Sequence, residues 1–322
     1  MKKILIYSNG EKLGDGIIKL PFINDLKNEI PNSEIFWLTH GNTVFKNILK
    51  PFVYKKIDHV YDNAQLNYLS FNKATKKYDL EDIQFDLIID TQKTFLKTFT
   101  LKKLKSINFL SNCSNGFLSN FKDYRKPINE KMNYYLDNIY HLLELYLGKK
   151  IIKKSKIEYP LDIYEKISEL FDPNKKYFGI APGAGEKNKI WDTDKFIQLI
   201  KRFQSKGYTP CYFLGPDDKN IKEKLIETFN EIFEPESFFN QISNIHCIMA
   251  STNFIDFAIT NDSGVSHILS TGNCHLFKIF NDKIPSKFTL VHNKIHSISP
   301  PLSKKINDIS VDYIYETILK KI

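Results

Sequence analysis

Cysteine is scarce in this chain of 322 residues: four in all, at Cys113, Cys211, Cys247 and Cys274. They are far apart and show no metal-type spacing, which excludes a zinc ribbon or finger. Cys211, Cys247 and Cys274 fall in or beside apolar runs, where a thiol packs as a small core side chain. That usage suits a reducing compartment and not a disulfide framework. Long hydrophobic runs are missing too, and no stretch approaches membrane-spanning length. The apolar run behind Met1-Lys2-Lys3-Ile4 stops at Ser8-Asn9-Gly10-Glu11, far too short for the core of a secretory signal. A cytoplasmic protein is expected, at most peripheral at the inner face of the cytoplasmic membrane. Acid is outnumbered by base, 37 residues against 46, leaving a net charge of +9. Such an excess suits nucleic acid, an anionic membrane or an anionic substrate. No RNP-like aromatic string, zinc-finger spacing or helix-turn-helix signature accompanies it, so nucleic acid is not an expected partner. The lysines cluster at Lys102-Lys103-Lys105, Lys149-Lys150 and Lys153-Lys154-Lys156. These read as solvated helix faces and linker, or as attraction to anionic lipid headgroups or a phosphorylated acceptor.

What is present is a regular alternation of short apolar runs with longer amphipathic ones. Strands are predicted at Lys3 to Ser8, Glu34 to Thr39, Phe85 to Asp90, Ser106 to Leu110, Tyr177 to Ala181, Thr209 to Leu214, Phe254 to Thr260 and His275 to Phe280. Helices are predicted at Gly16 to Glu29, Asn129 to Leu147, Leu161 to Phe171, Asp192 to Lys206, Asp218 to Phe229 and Val311 to Lys321. Such alternation implies parallel sheets covered by helices, an α/β fold. It breaks over the basic stretch Gly148 to Pro160 and then restarts. Two Rossmann-like domains facing a central cleft are therefore expected, residues 1–155 and 156–322, with ligands at the carboxyl ends of strands.

Two loops at such ends are built for anions. Thr260-Asn261-Asp262-Ser263-Gly264-Val265-Ser266-His267 lies between a buried apolar run and a helix. A strand, Asp-Ser-Gly turn, helix sequence aims free backbone N–H groups at an anion. Gly264 allows main chain to approach a ligand closely, and Asp262 or Ser263 can cap the helix. A capped βα turn without a ligand has the same pattern. About eighty residues earlier, Pro182-Gly183-Ala184-Gly185 ends another strand and Glu186-Lys187-Asn188-Lys189-Ile190-Trp191 follows. Small residues again let backbone come close to a phosphate, and Lys189 supplies charge. Trp191 reads as packing that fixes the loop. Asp192-Thr193-Asp194 resembles an Asp-x-Asp metal motif but begins a helix, where these residues are favoured caps.

The strings Pro182-Gly183-Ala184-Gly185, Lys189-Ile190-Trp191 and Asp262-Ser263-Gly264-Val265-Ser266-His267, in this order, resemble glycosyltransferase family 9, the lipopolysaccharide heptosyltransferases. The amino terminus agrees: strand Ile4-Leu5-Ile6-Tyr7, turn Leu13-Gly14-Asp15, then Gly16-Ile17-Ile18-Lys19-Leu20-Pro21, and later Pro31-Asn32-Ser33-Glu34-Ile35-Phe36-Trp37-Leu38. The resemblance spans nearly the whole chain, with no familiar motif from about 60 to 150. It implies the GT-B fold, an amino-terminal acceptor domain and a carboxyl-terminal donor domain whose last helix packs back on the first. It also implies an inverting glycosyltransferase, moving a sugar, by default heptose from ADP-heptose, onto a lipopolysaccharide core or related glycan or glycolipid acceptor. Asp15 becomes the catalytic base, an N-terminal cap being the alternative from sequence. Gly183, Ala184, Gly185, Lys189, Asp262, Ser263, Gly264 and His267 become donor and diphosphate contacts, with neither metal nor other cofactor. For Asp262 a brace of the turn, and for His267 a packed structural role, remain open. His40, at the end of the second strand, has no support from the resemblance.

The chain departs from the family at two places. Asn9 stands where an arginine is usual, with Lys12 a substitute cation, and Phe280-Asn281-Asp282-Lys283-Ile284-Pro285 replaces a donor-shaping loop. A nucleotide-sugar epimerase or hydrolase of the same fold, and a catalytically silent nucleotide-sugar-binding protein, are the competing readings.

Overall fold

The structure is a computed structural model. It describes all residues except 68–70, 122–134, 154–156, 158, 282–293 and 302–303, and the side chains of 72, 74 and 135. The start expected for the helix at Asn129, Lys154 and Lys156 of the basic stretch, and Asp282 to Pro285 lie outside the described residues. The chain divides into two compact units, the first drawn from Met1–Ser155 and the second from the chain beyond.

The first unit runs β1 (Lys2–Ser8), α1 (Leu13–Glu29), β2 (Ser33–Thr39), α2 (Lys50–Val53), β3 (His59–Tyr61), α3 (Phe71–Lys77), β4 (Phe85–Asp90), α4 (Phe95–Leu101), β5 (Ser106–Ser111) and α5 (Tyr135–Leu147). Its sheet has the order β3-β2-β1-β4-β5, every pairing parallel. Central β1 shows why: Ile4, Leu5, Ile6 and Tyr7 are all fully buried. An unbroken apolar run, and not an alternating one, is what a strand covered on both faces requires.

The second unit runs α6 (Leu161–Ser168), β6 (Lys176–Ala181), α7 (Thr193–Gln204), β7 (Tyr208–Tyr212), α8 (Lys219–Phe229), α9 (Asn244–Ser251), β8 (Phe257–Asn261), α10 (Gly264–Leu269), β9 (His275–Ile279), β10 (Ile295–Ile298) and α11 (Val311–Leu319). Its sheet order is β10-β9-β8-β6-β7, again parallel throughout. Both orders are doubly wound, and each reverses direction beside its first strand, β1 next to β4 and β6 next to β8.

The expected strands are all present, with ends shifted by up to three residues. Sequence reading missed β3 and β10, the two outer strands of one edge each. An edge strand pairs on one side only and is commonly short, so three or four residues leave little pattern. It also missed α4, whose Phe95-Leu96-Lys97-Thr98-Phe99-Thr100-Leu101 is rich in residues with weak helix propensity. Helix α1 starts at Leu13, three residues before the expected Gly16, because Lys12 is the N-cap and its carbonyl accepts from Gly16 N–H at 2.9 Å. The last helix packs against α7 of its own unit. Its stripe Val311, Ile314 and Ile318 is buried in the second unit's core, and Tyr315 stands 5.0 Å from Phe203.

Candidate functional site

In the second unit the two anion-friendly loops meet. Ala181 and Thr260 are register partners on adjacent strands β6 and β8, so the chain leaves both strands at the same edge. Asn261, fully buried, then clips the loops together. Its Nδ2 donates to Pro182 O at 2.5 Å, and its Oδ1 accepts from Trp191 N at 3.1 Å. Trp191 is itself fully buried, its indole N–H donating to Ile309 O at 3.0 Å. The packing role expected of Trp191 is what the structure displays.

A pocket of about 240 Å³ opens at this edge, lined in part by Gly183, Ala184, Gly185, Ser263 and Gly264. It lies at the β6/β8 switch point, where open parallel sheets take ligands. Nothing stands within 4 Å of where a side chain would begin at Gly185 or Gly264, so both present bare main chain to open space. Gly183 is small for a different reason: a Cβ there would lie 2.1 Å from both carboxylate oxygens of Asp218. Asp218 comes from the Gly215-Pro216-Asp217-Asp218 loop after β7, which also lines the pocket and which sequence reading passed over. Gly215 N–H donates to its Oδ2 at 2.7 Å. Burial raises the Asp218 carboxyl above its ordinary range, Gly215 opposing and Asp217 adding to the shift. The available signal was a Gly-Pro-Asp-Asp turn at a third strand end.

Ser263, not Asp262, is the cap of α10: its Oγ accepts from Ser266 N, while Ser266 Oγ receives Ser263 N–H at 3.3 Å, a reciprocal capping box. Asp262 points instead toward Lys278, with Nζ to Oδ1 at 3.6 Å. Lys278 sits in β9 with a side chain 3 % exposed. Burial lowers its pKa and Asp262 counteracts this. Lys189 ends a 3-10 turn, Lys187–Lys189, and its Nζ is 2.7 Å from Glu186 Oε1. Lys189, Asp262 and His267 do not line the pocket. His267 lies in the last turn of α10. Asp192 caps α7 by accepting from Asp194 N at 2.8 Å, and Asp194 pairs with Lys224 at 2.7 Å. No cluster of three or more His, Cys, Asp or Glu poised for a metal occurs among the described residues.

Asp15 belongs to the first unit. It is the third residue of α1 and half-buried, so it is not the N-cap. Its carboxylate makes no hydrogen bond or ion pair with a described residue, and an acid in a first turn is favoured by the helix dipole. One turn further on, Lys19 turns into the protein and meets Glu11 Oε1 at 2.6 Å, both side chains at most 2 % exposed. Ser8 Oγ lies 2.9 Å from the same Nζ, and Trp37 Nε1 donates to Glu11 Oε1 at 3.3 Å. This buried network ties the loop after β1 to the helix carrying Asp15. At the neighbouring strand ends the cation beside Asn9 is Lys97 of α4, its Nζ donating to Asn9 Oδ1 at 2.5 Å. Exposed Lys12 does not take that place. Burial and the nearby Lys97 lower the pKa of His40, whose Nδ1 has no partner among the described residues.

Two doubly wound parallel sheets, one with a main-chain-lined pocket at its switch point, define an α/β protein of GT-B class. Residues 75–313 match the family described as glycosyltransferase family 9 (heptosyltransferase), and the chain belongs to that family; it is a glycosyltransferase. No curated protein matches it in sequence. Among solved structures it is similar to the glycosyl transferase family 9 protein from Veillonella parvula DSM 2008, at 17% identity and TM-score 0.69, covering 99% of this chain and 95% of that one. E. coli heptosyltransferase WaaC, solved with ADP-2-deoxy-2-fluoro heptose, gives 15% identity and TM-score 0.68, covering 99% and 100%. E. coli ADP-heptose lps heptosyltransferase II gives 13% and 0.64, covering 99% and 98%. At these identities the likeness speaks for the fold. No described helix is long and apolar enough to cross a membrane.

Proposed function

We propose that this protein transfers a sugar from a nucleoside diphosphate sugar to a hydroxyl of a glycan or glycolipid, with inversion at the anomeric carbon. The observation that carries the donor half is the pocket at the β6/β8 edge, where Asn261 clips two loops together and Gly185 and Gly264 leave main chain bare. The backbone N–H of Gly264, in the first turn of α10, faces the departing diphosphate, whose developing charge must be offset. Lys189 adds a cation by exchanging Glu186 for phosphate, and no metal is needed. Asp218 accepts from hydroxyls of the nucleoside. Asp262, held by Lys278, and His267 complete the donor side. Family membership and the ADP-sugar in the WaaC structure favour ADP-heptose as donor and a lipopolysaccharide core as acceptor.

Asp15 is the base. An acceptor hydroxyl is a poor nucleophile, and a carboxylate within reach takes its proton as the new glycosidic bond forms. The first unit supplies the acceptor side and the second the donor side, on the cytoplasmic face of the membrane. The deciding experiment is Asp15→Asn, with nucleoside diphosphate affinity measured beside turnover. Affinity should persist while the rate falls by about 10²–10⁴-fold. Near-normal turnover refutes the base assignment. Donor binding by the wild-type chain without transfer to any glycan acceptor refutes the enzyme reading in favour of a silent binding protein.

A further inference from the structure

Helix α4 presents an apolar face that the first unit leaves uncovered. Phe95, Leu96 and Phe99 are 48 %, 71 % and 45 % exposed, while Thr98, Thr100 and Leu101 face inward. Phe95 and Phe99, one turn apart, stack with ring centres 6.4 Å apart. The 3-10 turn Cys113–Gly116 packs beside α4, and the residue after it, Phe117, is 80 % exposed. The face is held rigidly, because Thr98 Oγ1 donates to the buried Asp90 carboxylate at 2.5 Å and Ser111 Oγ donates to the same oxygen at 2.9 Å. Single exposed apolar residues need no explanation, but several together on one anchored helix mark an interaction surface.

Charge selects the occupant. From Thr91 to Phe121 the chain has five lysines, Lys93, Lys97, Lys102, Lys103 and Lys105, and no Asp or Glu. Lys93, Lys102, Lys103 and Lys105 are exposed. Lys102 and Lys103 continue the helical arc of Phe95, Leu96 and Phe99 at 100° per residue. A second copy docked face to face would set lysine against lysine, which opposes association. An apolar face ringed by cations, of which Lys105 has the exposed Asp82 carboxylate 3.8 Å away, matches the boundary between acyl chains and anionic headgroups.

We propose that α4, with Phe117, is the site by which this protein docks on a bilayer containing anionic phospholipid, Phe95, Leu96 and Phe99 entering the headgroup boundary. This deepens the glycolipid-acceptor reading and rests on it for its purpose alone. Vesicle binding is read without turnover, so either can fail while the other stands.

The test uses the full chain with vesicles of phosphatidylcholine, with and without phosphatidylglycerol. The wild type should co-sediment with the anionic vesicles, weakly with the neutral ones, and less as salt is raised. Phe95→Ser, Leu96→Ser, Phe99→Ser together should lower the partition coefficient by about tenfold or more, with an unchanged thermal midpoint. Lys93→Glu with Lys102→Glu should abolish the preference for phosphatidylglycerol. A tryptophan placed by Phe99→Trp should shift to the blue with anionic vesicles, against Trp37 and Trp191, which are fully buried. The proposal is overturned if the wild type stays in the supernatant, or if the triple variant binds as the wild type does. It is equally overturned if the face mediates self-association that the triple variant abolishes.

Discussion

Lys19→Met should destabilise the first unit far more than the loss of any surface ion pair. The Lys19–Glu11 contact is 2.6 Å long with both side chains at most 2 % exposed, and Glu11 Oε2 has no hydrogen-bond partner among the described residues. Methionine fills nearly the same volume, so packing changes little and the charge is what is lost. Glu11 would then keep a buried carboxylate supported, among the described residues, only by the Trp37 indole at 3.3 Å. Removing one partner of a buried pair typically costs about 3–5 kcal/mol, most of it the uncompensated charge left behind. The Arg202–Asp312 pair has the same length, 2.6 Å, but its side chains are 40 % and 77 % exposed. Solvent already screens it, and Arg202→Met should cost no more than about 1 kcal/mol. Urea denaturation reads the difference. The two tryptophans divide between the units, Trp37 in the first and Trp191 in the second, so a Trp191→Phe background leaves Trp37 to report on the first unit alone. Adding Glu11→Gln to Lys19→Met removes the stranded charge and should recover most of the loss. A loss under about 1 kcal/mol in Lys19→Met, or a double variant as unstable as the single one, refutes the claim that burial and not distance sets the worth of this pair.

Lys189→Ala should weaken nucleoside diphosphate binding by about 1.5–3 kcal/mol, the loss of one charge-assisted contact, with folding unaffected; calorimetric titration that finds equal affinity removes Lys189 from the site. Turnover should survive a chelator, and abolition reversed by magnesium or manganese would recruit Asp192 and Asp194 as ligands in place of their cap and ion pair. Both carboxylate oxygens of Glu236 are buried, and burial raises its pKa from 4.5 to about 7 against the opposing backbone amides of Glu236 and Leu214. The native state thus holds this proton more tightly than the unfolded chain, so its contribution to stability is greatest below pH 4.5 and is lost as pH rises to about 7. In Glu236→Gln that part of the pH dependence should vanish, leaving the variant more stable than wild type at alkaline pH; denaturation midpoints across the range that fall in parallel would refute it.

Sequence alone determined the features that repeat or that chemistry makes recognisable. The apolar runs Ile4 to Tyr7 and Phe257 to Ile259 specify buried parallel strands because two-sided burial permits no polar alternation. The Pro-Gly-Ala-Gly and Asp-Ser-Gly turns are legible because only small residues and helix caps leave main chain bare at a strand end. Those same strings carried the family and hence the GT-B class. Edge strands β3 and β10 were illegible because one-sided pairing needs few apolar residues, and α4 because its Phe and Thr content argues against the helix it forms.

Only the tertiary structure decided which residues serve one another. Nothing in the sequence joins Asn261 to both Pro182 and Trp191, Asp218 to the empty side of Gly183, or Lys278 to Asp262. Nor could it choose Lys97 over Lys12 as the cation beside Asn9, 88 positions apart. Glu11 and Lys19 read as ordinary polar residues of a loop and a helix, yet they are the buried pair behind Asp15. Backbone pattern follows from local periodicity, which a sequence displays. Partnerships among side chains depend on how sheet order and strand register bring distant chain ends to one edge, and that is settled only when the sheets assemble.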